Sequence, residues 1–154
     1  MATPTIIIGI GSSGLYTLEN VQRFYYETYK KNKPDHVEYL YLETNKDNLV
    51  GVTPVKNEIR RVYISLAEMA KMVKELKESG CGDWLPPANQ ILDAGIGAGN
   101  IRSCGRLALW GTNSADGDNF RNVIEAIKET YSRVDKIDTG KGTSNKPTVF
   151  ITGT

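Results

Sequence analysis

Histidine occurs once in the chain and cysteine only twice. Cys81 and Cys104 show no metal-type spacing, and no third or fourth ligand stands near either, so they read as free thiols of a cytoplasmic protein. Formal net charge is only +1, which gives no reason to expect a nucleic-acid or membrane partner. The apolar run after Pro4 ends at Gly9, far short of the ~20 residues needed to cross a bilayer, and no signal peptide is evident. Cytoplasmic localisation is therefore the expectation. Internal repeats, coiled-coil heptads and low-complexity tracts are also lacking.

What is present is the pattern of one α/β domain. Residues number 154, with 40% hydrophobic and 24% charged, enough to bury a core. Thr5 to Ile10 is a continuous β-branched run, suited to a strand buried on both faces. Apolar residues then fall at Leu15, Leu18, Val21, Phe24 or Tyr25, and Tyr29, which is helical spacing closed by Pro34-Asp35. Val37 to Leu42 reads as a second strand, parallel and adjacent to the first through a right-handed crossover. Ile59 to Ile64 reads as a short edge strand, and Ser65-Leu66-Ala67-Glu68 as a capping box opening a helix that ends at Ser79-Gly80. Cys81 to Asn89 reads as a loop. Phe120 to Val134 has the period of a long amphipathic helix, and Thr148 to Thr152 reads as a third buried strand.

Two glycine loops carry the chemistry. Gly9-Ile10-Gly11-Ser12-Ser13-Gly14 fits G-x-G-x-x-G between a strand end and a helix start. There, free backbone N–H groups and the helix dipole favour a phosphate, and Ser12 and Ser13 could add hydroxyl donors. The bland alternative is a tight turn that uses Gly9 and Gly14 for geometry alone. A Rossmann dinucleotide site also needs an acidic residue ending the second strand, and Glu43 stands there, 29 residues past Gly14. A dinucleotide needs only one such loop, yet Gly95-Ile96-Gly97-Ala98-Gly99-Asn100 supplies a second ahead of another helix. Two loops at neighbouring strand ends suit a longer polyphosphate, with Arg102 and Arg106 on one helix face nearby. Gly140-Lys141-Gly142-Thr143-Ser144 fails the P-loop test, since glycine follows its lysine and no strand leads in.

In order along the chain, these pieces resemble the N-terminal part of a tubulin/FtsZ-type GTPase, especially the bacterial tubulin-like proteins. Ile8 to Gly14 is similar to the family's first nucleotide loop, and Val37 to Asn45 resembles its second strand and loop. Gly95 to Gly99 followed by Gly105-Arg106 resembles the loop that senses the terminal phosphate. Val149 to Gly153 resembles the strand that enters the family's G-G-G-T-G loop.

The resemblance implies a three-layer, Rossmann-like α/β fold with a parallel sheet. It also implies a cytoskeletal protein that binds GTP or GDP, with Mg a possible companion, and self-associates into filaments in its full-length form. By the resemblance the nucleotide would meet Gly9, Gly11, Ser12, Ser13, Gly14, Glu43, Thr44, Asn45, Gly97, Ala98, Gly99, Asn100 and Arg106, and no residue here would be catalytic. Where the division protein has asparagines after its first loop, this chain has Leu15 and Tyr16, and the usual Asn-Thr-Asp has become Glu43-Thr44-Asn45. Residues 52–92 form an insertion without a counterpart.

The chain stops at Thr154, where the family's next loop would begin, so residues 1–154 are expected to be a single, truncated nucleotide-binding domain without GTPase activity of its own. Two other classes remain open at this point. One is an NAD(P)-dependent oxidoreductase using Gly9, Gly11, Gly14 and Glu43, though His36, the sole histidine, lies at the wrong end of its strand for that chemistry. The other is a non-enzymatic α/β scaffold. A chain ending in an apolar strand is expected to be marginally stable or to associate through that edge. A single monomer boundary in sedimentation, with cooperative melting at high temperature, would count against this.

Overall fold

β1 (Thr5–Ile10) runs straight into α1 (Gly11–Tyr29), and β2 (Val37–Glu43) returns parallel to β1. This is the β-α-β unit that the β-branched first run, the intervening helical period and the strand-forming second run predict. The computed structural model describes residues 3–49, 58–64, 69–80, 83–85, 104, 107–108, 119–135 and 147–153. After β2 come α2 (Lys46–Leu49), β3 (Ile59–Tyr63), α3 (Met69–Glu78), α4 (Asn119–Asp135) and β4 (Thr148–Gly153). The expected capping box at Ser65 and Glu68, most of the loop from Cys81 to Asn89, the second glycine loop and the stretch 136–146 lie outside the described residues.

The four strands form one parallel sheet in the order β3-β2-β1-β4. Ile8 pairs with Leu40 on one side and Ile151 on the other, so β1 is central. Strand order climbs outward from β1 to β3 and then reverses to β4, which places a topological switch point between β1 and β4. Helices cover both faces, giving the three-layer Rossmann-like arrangement.

Alternation along the strands sorts the core into two layers. Leu15 and Leu18 of α1 pack with Val37, Tyr39 and Tyr41 of β2 and Ile59 of β3. Ile6 and Ile8 of β1 pack with Leu40 and Leu42 of β2 on the opposite face, under Val123, Ala126 and Val134 of α4. Burial without water lifts the Tyr39 phenol to about 12, with Glu58 and Tyr25 adding to the shift. A smaller cluster holds Val73 of α3 with Cys104 and Leu107. Cys104 is a free, buried thiol whose pKa burial pushes up, so it packs as a small apolar group.

The buried strand expected at Thr148–Thr152 is instead an exposed edge. β4 is a parallel strand, but Val149, Phe150 and Ile151 are 50%, 56% and 68% exposed. The cause is position. β4 pairs only with β1 among the described residues, and α4 packs over β1, β2 and β3, leaving the same face of β4 uncovered by it. By contrast, β3 stands at the opposite edge, where the sequence puts it.

The junction of β1 and α1 is held by backbone contact. A Cβ at Gly14 would sit 2.7 Å from the carbonyl carbon of Gly9 and 2.9 Å from the Thr152 carbonyl oxygen. A Cβ at Gly9 would meet Gly14 O and Leu18 Cδ1 at 2.8 Å each. Gly14→Ala is therefore expected to cost about 1–3 kcal/mol or more, through forced separation of α1 from the sheet. Gly80→Ala, where a Cβ meets nothing within 4 Å and only the φ of 77° is unfavourable, should cost less. Urea melts of the two variants beside the parent check this ordering.

Candidate phosphate-binding site at the sheet's carboxyl edge

The first glycine segment is less a loop than the opening turn of α1. Ile10 is the N-cap in an extended conformation, with φ −119° and ψ 125°, and its side chain makes no capping hydrogen bond. Gly11 follows with φ 66°, a left-handed backbone that makes the sharp strand-to-helix turn and that glycine adopts without strain. The first turn also carries no acidic residue. Its leading N–H groups, which an α-helix cannot satisfy internally, therefore receive no cap from Ile10 and no carboxylate from their own turn.

This helix start stands at the switch point between β1 and β4. Gly9 pairs with Thr152 and Ile10 with Gly153. Gly153 has a φ of 120°, and a Cβ there would lie 2.0 Å from the Ile10 carbonyl oxygen. Three glycines, Gly9, Gly14 and Gly153, thus bring two strand ends and one helix start together, backbone on backbone. In parallel α/β sheets, ligands bind outside the carboxyl ends of the strands at such a point.

Beside it, the end of β2 is organised by one carboxylate. Glu43 is only 4% exposed. Its Oε1 accepts the backbone N–H of Thr44 at 2.7 Å and of Asn45 at 3.0 Å. Its Oε2 accepts the Tyr41 hydroxyl and, at 3.0 Å, Nδ2 of Asn48. That same Nδ2 donates to Ser12 Oγ at 3.0 Å, tying α2 and β2 to the first turn of α1. Burial alone would raise the Glu43 pKa, but the hydrogen bonds from Tyr41, Asn48, Asn45 and Thr44 outweigh it and hold the carboxyl below its ordinary value. The Tyr41 phenol is driven upward by burial and by the same carboxylate. Asn45 adds the cap of α2, its Oδ1 accepting the Asp47 N–H at 3.0 Å.

Gly9, Gly11, Ser12, Ser13, Gly14, Glu43, Thr44 and Asn45 all gather at this edge, as the sequence spacing anticipates. Their parts differ. Ser12 and Ser13 are exposed, while Gly14 is buried against the strand. Glu43 meets donors of its own chain on both oxygens and touches the helix start through Asn48. Leu15 is packed in the core against β2, whereas Tyr16 is 68% exposed. Gly97, Ala98, Gly99, Asn100 and Arg106 lie outside the described residues. His36 lies at the other end of the sheet, its carbonyl accepting the Thr5 N–H that begins β1. Asn48, Tyr41 and Gly153 are the members that sequence spacing does not single out.

An all-parallel sheet with helices on both faces and a glycine turn from strand to helix at its switch point defines the Rossmann-like α/β class of fold. The particular family follows from sequence comparison: a family model described as tubulin-like matches residues 6–154. The chain belongs to the tubulin-like family. Searches of curated proteins and of solved structures returned no match. No described helix is long and apolar enough to cross a membrane. Among the described residues, no three His, Cys, Asp or Glu side chains are grouped to hold a metal ion.

The lowered Glu43 pKa has a defined sign in stability. A carboxyl whose folded pKa lies below its unfolded value stabilises the fold above the unfolded pKa and loses that contribution as pH falls through the folded one. Stability should therefore decline below about pH 4.5, the ordinary carboxyl value. Glu43→Gln is expected to cost about 1–3 kcal/mol at neutral pH, by facing an amide N–H toward donors, and to flatten the acid limb. Urea melts of both proteins from neutral pH down to about pH 3 read both effects.

Proposed function

We propose that this chain binds guanine nucleotide, GTP or GDP, as a tubulin-like protein, with the phosphates at the start of α1. The observation that carries the reading is the glycine turn that sets the amino end of α1, with an apolar N-cap, at the β1/β4 switch point of a chain in this family. The residues present suit a phosphate. Gly11 turns the backbone so that the helix start faces out of the sheet edge, Gly14 and Gly153 leave no Cβ in the way, and Ser12 and Ser13 are exposed on the first turn. Gly97 to Asn100 and Arg106 are proposed to close on the same phosphates from the second glycine loop. Mg would come with the nucleotide, held chiefly by its phosphates. In the family's manner, nucleotide-dependent self-association into filaments and GTP hydrolysis belong to this reading.

A dinucleotide dehydrogenase is the poorer account. It needs the Glu43 carboxylate free to meet ribose hydroxyls, but both Glu43 oxygens are occupied by Tyr41, Thr44, Asn45 and Asn48.

The test is thermal. A ligand that binds only the folded state at a hundredfold excess over its Kd adds about 2.7 kcal/mol. For a chain of this size that is a Tm rise of about 5–10 °C. GTP and GDP should produce the rise and NAD should not. A rise with NAD alone would overturn the reading in favour of the oxidoreductase, and no response to any nucleotide would favour the scaffold.

A further inference from the structure

We propose that Asn48 is a positioning residue that fixes Ser12 as a hydrogen-bond donor toward the bound phosphate, a role that rests on the nucleotide reading above. The inference comes from the direction of each hydrogen bond. An ionised carboxylate can only accept, so the Asn48 amide must turn its NH2 group, not its oxygen, toward Glu43 Oε2. The same Nδ2 lies 3.0 Å from Ser12 Oγ. With one proton spent on Glu43, the second goes to Ser12, and the Ser12 oxygen becomes the acceptor of that bond. A hydroxyl that accepts from one neighbour keeps its own proton for another. Ser12 is exposed in the first turn of α1, so its proton is available on the side where an anion would sit.

Polarity is thereby passed along a chain. Tyr41 and the backbone N–H groups of Thr44 and Asn45 hold Glu43 as the acceptor, Glu43 orients the Asn48 amide, and the amide orients Ser12. Phosphate oxygens offer lone pairs and, when fully ionised, no proton, so a hydroxyl locked as a donor suits them. An unconstrained serine would spend part of its time presenting its lone pairs to the anion instead. Asn48 itself need not touch the ligand. Its contribution is to remove the wrong hydroxyl orientation.

The experiment is a double-mutant cycle on GTP affinity, using Ser12→Ala, Asn48→Ala and the pair, with 15N-labelled protein to follow the Asn48 side-chain amide. Ser12→Ala should weaken GTP about tenfold, the loss of one charge-assisted hydrogen bond, and Asn48→Ala, which only frees the hydroxyl to rotate among its staggered positions, about threefold. The double variant should bind no more weakly than Ser12→Ala alone. In the ligand-free protein, the Asn48 amide protons should shift in Ser12→Ala and again in Glu43→Gln. Asn48→Asp keeps the size of the side chain but presents only acceptors, and should weaken GTP more with Ser12 present than with alanine there. Equal weakening by Asn48→Ala in both backgrounds would make Asn48 merely structural and overturn the proposal, as would parental affinity in Asn48→Ala. Either result leaves the nucleotide reading standing, because the parent still binds GTP. Failure of the parent itself to bind GTP or GDP overturns that reading and this proposal with it.

Discussion

Where α1 leaves β1, the backbone of Gly14 lies against that of Gly9, with no room for a side chain at either position. The position of the helix start depends on that contact. An α-helix packed on a sheet through ordinary side chains stands about 10 Å from it, whereas glycine on both sides lets the first turn settle directly on the strand end. The approach extends sideways, since Gly14 also closes on the Thr152 carbonyl and Gly153 on the Ile10 carbonyl. The amino end of α1 is thus wedged between two neighbouring strand ends. Its N–H groups are aimed from a point defined by backbone atoms, which do not change rotamer.

A second constraint acts through polar groups. Taking a carboxylate out of water costs several kcal/mol, and Glu43 can sit nearly buried only because four donors of its own chain surround it. An apolar residue there could pack as well, but it would have no direction. The carboxylate does: it turns the backbone after β2 back on itself, so that Thr44 and Asn45 present their amides inward, and it receives Asn48 from α2. Glycine contact places α1 on the sheet, and the carboxylate places the turn after β2 against α1.

Much of this was legible in the sequence, and the exceptions share a cause. Strands β1 and β2, helix α1 and the long helix α4 follow from apolar periodicity, because each buries a face whose spacing is set by its own geometry. The gathering of Gly9 to Gly14 with Glu43 to Asn45 follows from parallel pairing, which puts both strand ends at one edge. The exposure of β4 did not follow. A run such as Thr148 to Thr152 has the same composition at the centre of a sheet as at its rim, and only the pairing order decides which. The glycine segment read as a loop because its composition is that of one, yet Gly11 needs a left-handed φ only at the turn and the helix begins there at once. The partners of Glu43 were also hidden. Tyr41 is two residues back on the same strand face and Asn48 five residues on, in a helix too short to leave a periodic signal.

These exceptions bear on how a glycine motif is to be weighed. Gly9 and Gly14 are fully accounted for by packing, and Gly11 by the turn, so the pattern G-x-G-x-x-G would stand here even if no phosphate ever bound. What packing does not account for is the polar dressing of the same turn. Ile10 at the N-cap offers the helix start no side-chain acceptor, although an Asp or Ser there would stabilise it by about 1 kcal/mol. A serine on that turn is meanwhile bridged, through an amide, to a buried charge. Stability alone would favour a cap and no buried carboxylate. An apolar N-cap and a tethered hydroxyl at a sheet's switch point are features that suit an anion, and they argue for a ligand more strongly than the glycines do.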